Sequence, residues 1–248
     1  NYEFTLDVYR DCRPESQGGG TPGALIDDAP AIIGIFRGNQ TLKVRNVGTD
    51  TINIVPPLFA NNCLLNPPIR CISRIRFRFI ENLPPHPDGY SLVYQRCCRN
   101  ASTLNLRNAG TTGNSFLCTI PPNDNCGNSA RFKNVPPQII CINNPFVFDC
   151  SAIDIDGDSL SYSFCAGLQG GGSSPSPPNG PNSPKPSPPL GPPYLNIQYR
   201  QPYSAFNPVS ANPNFSINPV TGVITGTPTL QGIFALSVCC REWRNGVL

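Results

Sequence analysis

"RIRFRFIE", residues 74–81, puts Arg74, Arg76 and Arg78 on one side of an extended chain and Ile75, Phe77 and Phe79 on the other. Successive side chains of a β-strand point to opposite faces, so this spacing is that of a half-buried strand with a basic outer face. A nucleic-acid platform would set aromatic rings among the arginines. Here the rings lie opposite them, and the stretch reads as sheet.

The same strand signature recurs along the chain, in "YEFTLDVYR" 2–10, "AIIGIFR" 31–37, "TLKVRNV" 41–47, "TINIV" 51–55, "YSLVYQRCC" 90–98 and "SFLCTI" 115–120. A second set runs through "QIICIN" 138–143, "PFVFDCSA" 145–152, "LSYSFC" 160–165, "YLNIQYR" 194–200, "FSIN" 215–218, "GVITGT" 222–227 and "GIFALSVCC" 232–240. Pro, Gly and Asn clusters separate the segments, and no helical period of useful length is found. Of 248 residues, 30 are Pro and 22 are Gly, about a fifth of the chain, and only 13% are charged. The expected fold is therefore all-β. It comprises two disulfide-stapled β-sandwich domains, a cysteine-rich one over 1–135 and an immunoglobulin-like one over 136–248. A low-complexity tract, "GGGSSPSPPNGPNSPKPSPPLGPP" within 170–193, interrupts the second set. It reads either as a long surface loop whose polyproline stiffness lets it lie along a neighbouring surface or as a disordered insertion.

Twelve cysteines with no C-x-x-C and a single histidine, His86, point to disulfides in an oxidising compartment rather than to zinc. All twelve are expected to be bonded: Cys12, Cys63, Cys71, Cys97, Cys98, Cys118, Cys126, Cys141, Cys150, Cys165, Cys239 and Cys240. Cys63–Cys71 and Cys118–Cys126 would each close a small loop. Seven cysteines precede the domain boundary and five follow it, so full oxidation needs a bridge across it, with Cys141 the candidate to reach back. The doublets Cys97–Cys98 and Cys239–Cys240 read as two-sided staples in strands, giving four separate bridges and no vicinal bond. Cys165 and Cys150 are the candidate partners of the second doublet.

"YEFTLDVYRDC" 2–12, "GYSLVYQRCCRN" 89–100 and "PPQIICINNPFVFDCSAIDIDGDSLSYSFC" 136–165 resemble the N-terminal modules of large Bacteroidetes surface proteins. Those proteins are associated with gliding motility and type IX secretion. "FSINPVTGVITGTPTLQGIFALSV" 215–238 is similar to the immunoglobulin-like repeats of bacterial adhesins. The resemblance implies an exported, cell-surface, adhesion-associated protein. Its partners would be other domains or copies of the same protein, in a homo-oligomer or filament, and a glycan or cell-surface ligand. Related sequences continue beyond "REWRNGVL" into a further strand, which the chain beyond or another subunit would supply. No signal peptide is seen in the sequence, so residue 1 is expected to lie downstream of a cleavage site or within a fragment. No membrane-spanning run and no nucleic-acid partner are expected.

In "AIDIDGDSLSY", 152–162, Asp154, Asp156 and Asp158 alternate around Gly157, so their carboxylates can converge. Such a cluster suits Ca²⁺, although no Glu stands at the twelfth position of an EF-hand loop. The segment resembles the calcium loops of cadherin-like repeats, where the ion rigidifies. A polar turn with Asp side chains on backbone amides is the alternative. Catalytic sets are not found: His86 sits in "LPPHPDG", and Glu3, Glu15, Glu81 and Glu242 lie in ordinary strand or turn contexts. Sequons occur at Asn39, Asn100 and Asn214. "DTI" and "DSL" resemble the phylum's O-glycosylation motif, which would place sugars on Thr51 and Ser159. Tyr194, Tyr199, Tyr203 and Phe206 are candidates for a sugar-stacking platform, the basis of a carbohydrate-binding alternative.

Overall fold

The computed structural model describes residues 1–12, 29–56, 71–122, 127–137, 139–174 and 176–244. The protein is all-β. The stretch 74–81 lies in β5 (Ile72–Glu81), the centre of a three-stranded antiparallel sheet between β1 (Tyr2–Asp11) and β4 (Thr49–Val55). A four-stranded sheet faces it, in the order β3 (Gln40–Val47), β2 (Ala31–Arg37), β6 (Tyr90–Arg96) and β7 (Asn114–Ile120). Both sheets feed one core: Ile75 and Phe77 of β5 are 0% and 1% exposed, and they pack with Ile33, Ile35, Leu92 and Tyr94. The alternation in 74–81 thus holds. Its basic face is not simply solvated, because Arg76 forms a two-point pair with Asp7 across the β1–β5 ladder and Arg78 pairs with Glu3.

The remaining strands are short. They are β8 (Arg131–Phe132), β9 (Phe146–Asp149), β10 (Ala152–Ile153), β11 (Ser159–Phe164), β12 (Ser216–Ile217), β13 (Val223–Gly226) and β14 (Val238–Trp243). Sheets β12–β13–β9 and β11–β14 enclose a smaller core of Phe146, Phe164, Val209, Phe215 and Ile224, while β8 and β10 form a separate pair. Two expected strands are absent as such. Around 138–143 and 194–200 the described chain makes only isolated bridges and single backbone bonds. Only the end of 232–240 joins a ladder. These segments are apolar enough for strands, but Ile140 packs against the smaller core and Ile197 lies in a third small cluster with Leu106 and Ala109, and among the described residues neither segment is part of a ladder.

The tract 170–193 lies against the larger sandwich. Pro186 and Pro189 are among the most deeply buried side chains, and Cys97 N–H donates to Pro184 O at 2.9 Å. Gln95 binds both sides of this contact, its amide nitrogen donating to Ser115 Oγ and its oxygen accepting from Leu190 N–H. A methyl group on Gly191 would come 2.9 Å from Phe36 of β2, so the tract covers that strand's outer face. This is why "AIIGIF" is buried on both sides and reads as an unbroken apolar run instead of an alternation. Proline fixes φ in advance, which lowers the entropy lost when the tract is laid down.

Side-chain hydrogen bonds also cross the expected boundary at 135–136. Asn105, 0% exposed, donates to Pro208 O and Ala235 O and accepts from Ala235 N–H, joining a loop of the first sandwich to the second.

The cysteines depart from several expectations. Cys71 bonds Cys12, not Cys63, because Asp11 stands opposite Ile72 in the β1–β5 register and the next residues outward face one another. Cys63 lies outside the described residues, as does Cys126, and Cys118 is a free thiol among the described ones. Cys97 and Cys98 bond each other across a cis peptide, contrary to the two-sided staple expected there. The reason is that β6 ends at Arg96, so the doublet lies past the strand and its side chains need not alternate. The second doublet lies inside β14, where alternation holds, and Cys239 bonds Cys165. Cys150 and Cys240 are free thiols, against the expectation that all twelve are bonded. Cys141 is disulfide-bonded.

Candidate functional site

The sequence between β10 and β11 cannot continue as strand, because Gly157 takes a positive φ of 81° and turns the chain. That turn gathers Asp154, Asp156 and Asp158, whose nearest carboxylate oxygens all lie within 4.8 Å of one another. Asp154 Oδ1 accepts the N–H of Asp156 at 2.9 Å and of Asp158 at 3.0 Å, the backbone-capping role of aspartate in a turn. Its other oxygen, Oδ2, is buried and has no hydrogen-bond partner among the described residues.

Two residues not singled out in the sequence complete the cluster. Arg244 places Nε 3.1 Å from both oxygens of Asp158 and Nη2 within 2.8 Å of Asp158 Oδ2 and 3.1 Å of Asp156 Oδ2. Asn128 donates to Asp156 from its backbone at 2.6 Å and from its side chain at 2.9 Å. The Asn128 hydrogen bonds, with Arg244 beside them, hold the Asp156 carboxyl below its usual range. The paired aspartates raise the Arg244 guanidinium, Asp158 foremost. Two distant parts of the chain are thereby tied to one loop. Neither Asn128 nor Arg244 carried a local motif; only the fold brings them within reach.

The aromatic candidates do not present one platform. Tyr199 packs against Leu106, Ala109 and Ile197, and Tyr203 sits edge-on to Phe234 with its hydroxyl 3.0 Å from Ser210 Oγ. Tyr194 donates its hydroxyl to Leu190 O, and burial pushes that group well above its ordinary range. Phe206, 74% exposed, is the ring left in solvent. The proposed sugar acceptors are exposed, Thr51 in edge strand β4 and Ser159 at the start of β11. Asn39, Asn100 and Asn214 are exposed too.

His86 accepts a hydrogen bond from Asp88 N–H through Nδ1 within its own turn. Glu3 and Glu81 are held by cations, and Glu242 accepts from Ala130 N–H. Glu15 lies outside the described residues. A groove of about 2010 Å³ runs between the two sandwiches. One wall is the charged face carrying Asp7, Arg74 and Arg76, and the other is apolar, with Phe146, Phe215 and Leu236. Among the described residues no helix is long and apolar enough to cross a membrane. Compared with protein families, curated proteins and solved structures, the chain has no match.

Proposed function

We propose that the chain is a non-catalytic structural and adhesive module of an exported bacterial cell-surface protein, part of a filament or fibre. The observation that carries this reading is the cross-linking of the fold. Cys12–Cys71 and Cys165–Cys239 tie strand ends across sequence separations of 59 and 74 residues, and buried prolines of the tract are packed against the larger sandwich. Such bonds resist extension and suit a part that bears load outside the cell. The motif resemblance to Bacteroidetes surface proteins supports the setting.

Calcium belongs to the same reading. The orphaned Asp154 Oδ2, with the Asp156 and Asp158 carboxylates beside it, fits a hard cation. There the ion would supply rigidity, in competition with Arg244 for the same oxygens. A rise in melting temperature with CaCl₂ that MgCl₂ does not reproduce is the expected result. No response in the wild type and in Asp154→Asn alike would remove calcium from the reading.

Single-molecule stretching tests the load-bearing role. With the bridges intact, the Cys12–Cys71 loop contributes no extension. In the Cys12→Ser/Cys71→Ser variant the 59-residue separation should add about 200 Å at roughly 3.5 Å per residue. Equal extension with and without the bridge would refute the role. A glycan array addresses the carbohydrate-binding alternative: specific, saturable binding lost on Phe206→Ala would replace the structural reading.

A further inference from the structure

The smaller sandwich has one described disulfide, and it does not join its two sheets. Cys239 lies in β14, and Cys165 directly follows β11, the strand paired with it. The bond therefore reinforces a ladder already held by hydrogen bonds. The facing sheet, β12–β13–β9, meets it through a cluster with five buried members.

Side-chain alternation along β14 places the other half of the doublet. Cys239 faces away from the core toward Cys165. Val238 and Cys240 point the opposite way, and Val238 packs into the core cluster. In the ladder Cys240 stands opposite Tyr162, and Val238 opposite Phe164. Tyr162 is buried and accepts a hydrogen bond from Ala152 N–H at 2.9 Å, so its hydroxyl reaches the backbone two residues beyond Cys150. From the facing sheet, Phe146, Phe148 and Cys150 alternate into the same cluster. The two thiols thus approach one core from opposite layers, next to the same tyrosine. Burial raises the Cys150 thiol, with Asp149 and then Cys240 adding to it. The Cys240 thiol is raised chiefly by burial, with Glu242 adding to it, and it stands opposite Tyr162 in the ladder.

We propose that Cys150 and Cys240 form a disulfide that joins the two sheets of the smaller sandwich. The oxidant is a low-molecular-weight or protein disulfide. One thiolate attacks it to form a mixed disulfide and expel a thiol, and the second thiolate displaces the other half. Two S–H bonds are lost and one S–S bond is formed. The cysteine pair gives up two electrons, and the oxidant leaves as two thiols carrying the two protons. The second doublet then becomes a two-sided staple: Cys239 secures the ladder and Cys240 secures the layers. The pairing is independent of the surface-module reading and is tested on the purified chain alone.

The chain is refolded in oxidised and reduced glutathione, alkylated with iodoacetamide and digested with chymotrypsin without reduction. Cuts after Phe148 and Tyr162 separate Cys150 from Cys141 and Cys165. Because Cys239 and Cys240 share a peptide, Cys165→Ser/Cys239→Ser isolates the pair. The expected product is a Cys150 peptide linked to the Cys240 peptide, with alkylation at either residue close to zero. In Cys150→Ser, Cys240 alkylation should rise to nearly one label per chain. Alkylation of both residues in the refolded wild type, or linkage of either to another cysteine, would overturn the proposal. If the double variant does not fold, fragmentation of the wild-type three-peptide cluster distinguishes the same two outcomes.

Discussion

Replacing Glu81 removes the negative charge that ties the two sheets of the larger sandwich together. Glu81 ends β5, and its carboxylate accepts from Lys43 Nζ at 3.1 Å and Arg45 Nε at 2.7 Å, both on β3 of the opposite sheet. Its side chain is 10% exposed, whereas those of Lys43 and Arg45 are 47% and 39% exposed. A charge-assisted hydrogen bond that is well covered contributes about 1.5–3 kcal/mol, and an exposed pair at most about 1 kcal/mol. With one covered and two half-covered partners, Glu81→Ala should cost about 2 kcal/mol. Glu81→Gln, which keeps an acceptor, should cost about 1 kcal/mol. Urea unfolding should show a lower midpoint at unchanged slope, because the unfolded surface is the same.

The pH dependence checks the cause. Burial opposes ionisation of Glu81, but the Lys43 and Arg45 contacts outweigh it and hold the carboxyl below its ordinary value of 4.5. A group with a depressed folded pKa contributes stability above its unfolded value and loses it as pH falls through the folded one. The wild type should therefore lose stability below about pH 4.5 more steeply than Glu81→Gln. An Ala variant within about 0.3 kcal/mol of wild type, with the same acid limb, would refute the reasoning.

Asn105→Ala strips partners from two carbonyls and one N–H in a buried site. A loss of about 3 kcal/mol in chemical denaturation is expected, and a loss below about 1 kcal/mol would mean water replaces the amide. A methyl group on Gly170 would lie 1.9 Å from Ser115 Oγ and 2.5 Å from Gln95 Nε2. Gly170→Ala should therefore lift the proline tract and admit thermolysin cleavage within 170–193, where the wild type resists it. Arg244→Ala removes the cation shared by Asp156 and Asp158. Millimolar CaCl₂ should then raise the melting temperature more in the variant than in the wild type; equal shifts would refute competition between guanidinium and ion.

How much of this was legible in the sequence depended on how local each signal was. Period-two alternation and the clusters of Pro, Gly and Asn were enough for the all-β class, because they reflect backbone geometry within a few residues. They placed Ile75 and Phe77 in a core and the arginines opposite them. The convergence of Asp154, Asp156 and Asp158 was equally readable, since one glycine turn suffices to make it. What required tertiary structure was every pairing between distant segments. The β1–β5 register brought Cys12 to Cys71. The end of β6 one residue before Cys97 let that doublet close on itself, while the same two letters inside β14 face opposite ways. Arg244 and Asn128 reached the aspartates, and the proline tract covered β2. Side-chain alternation depends on the chain's own backbone, so sequence by itself determined which residues can share a face. Which faces meet depends on how sheets stack and loops close, and that was decided only by the fold.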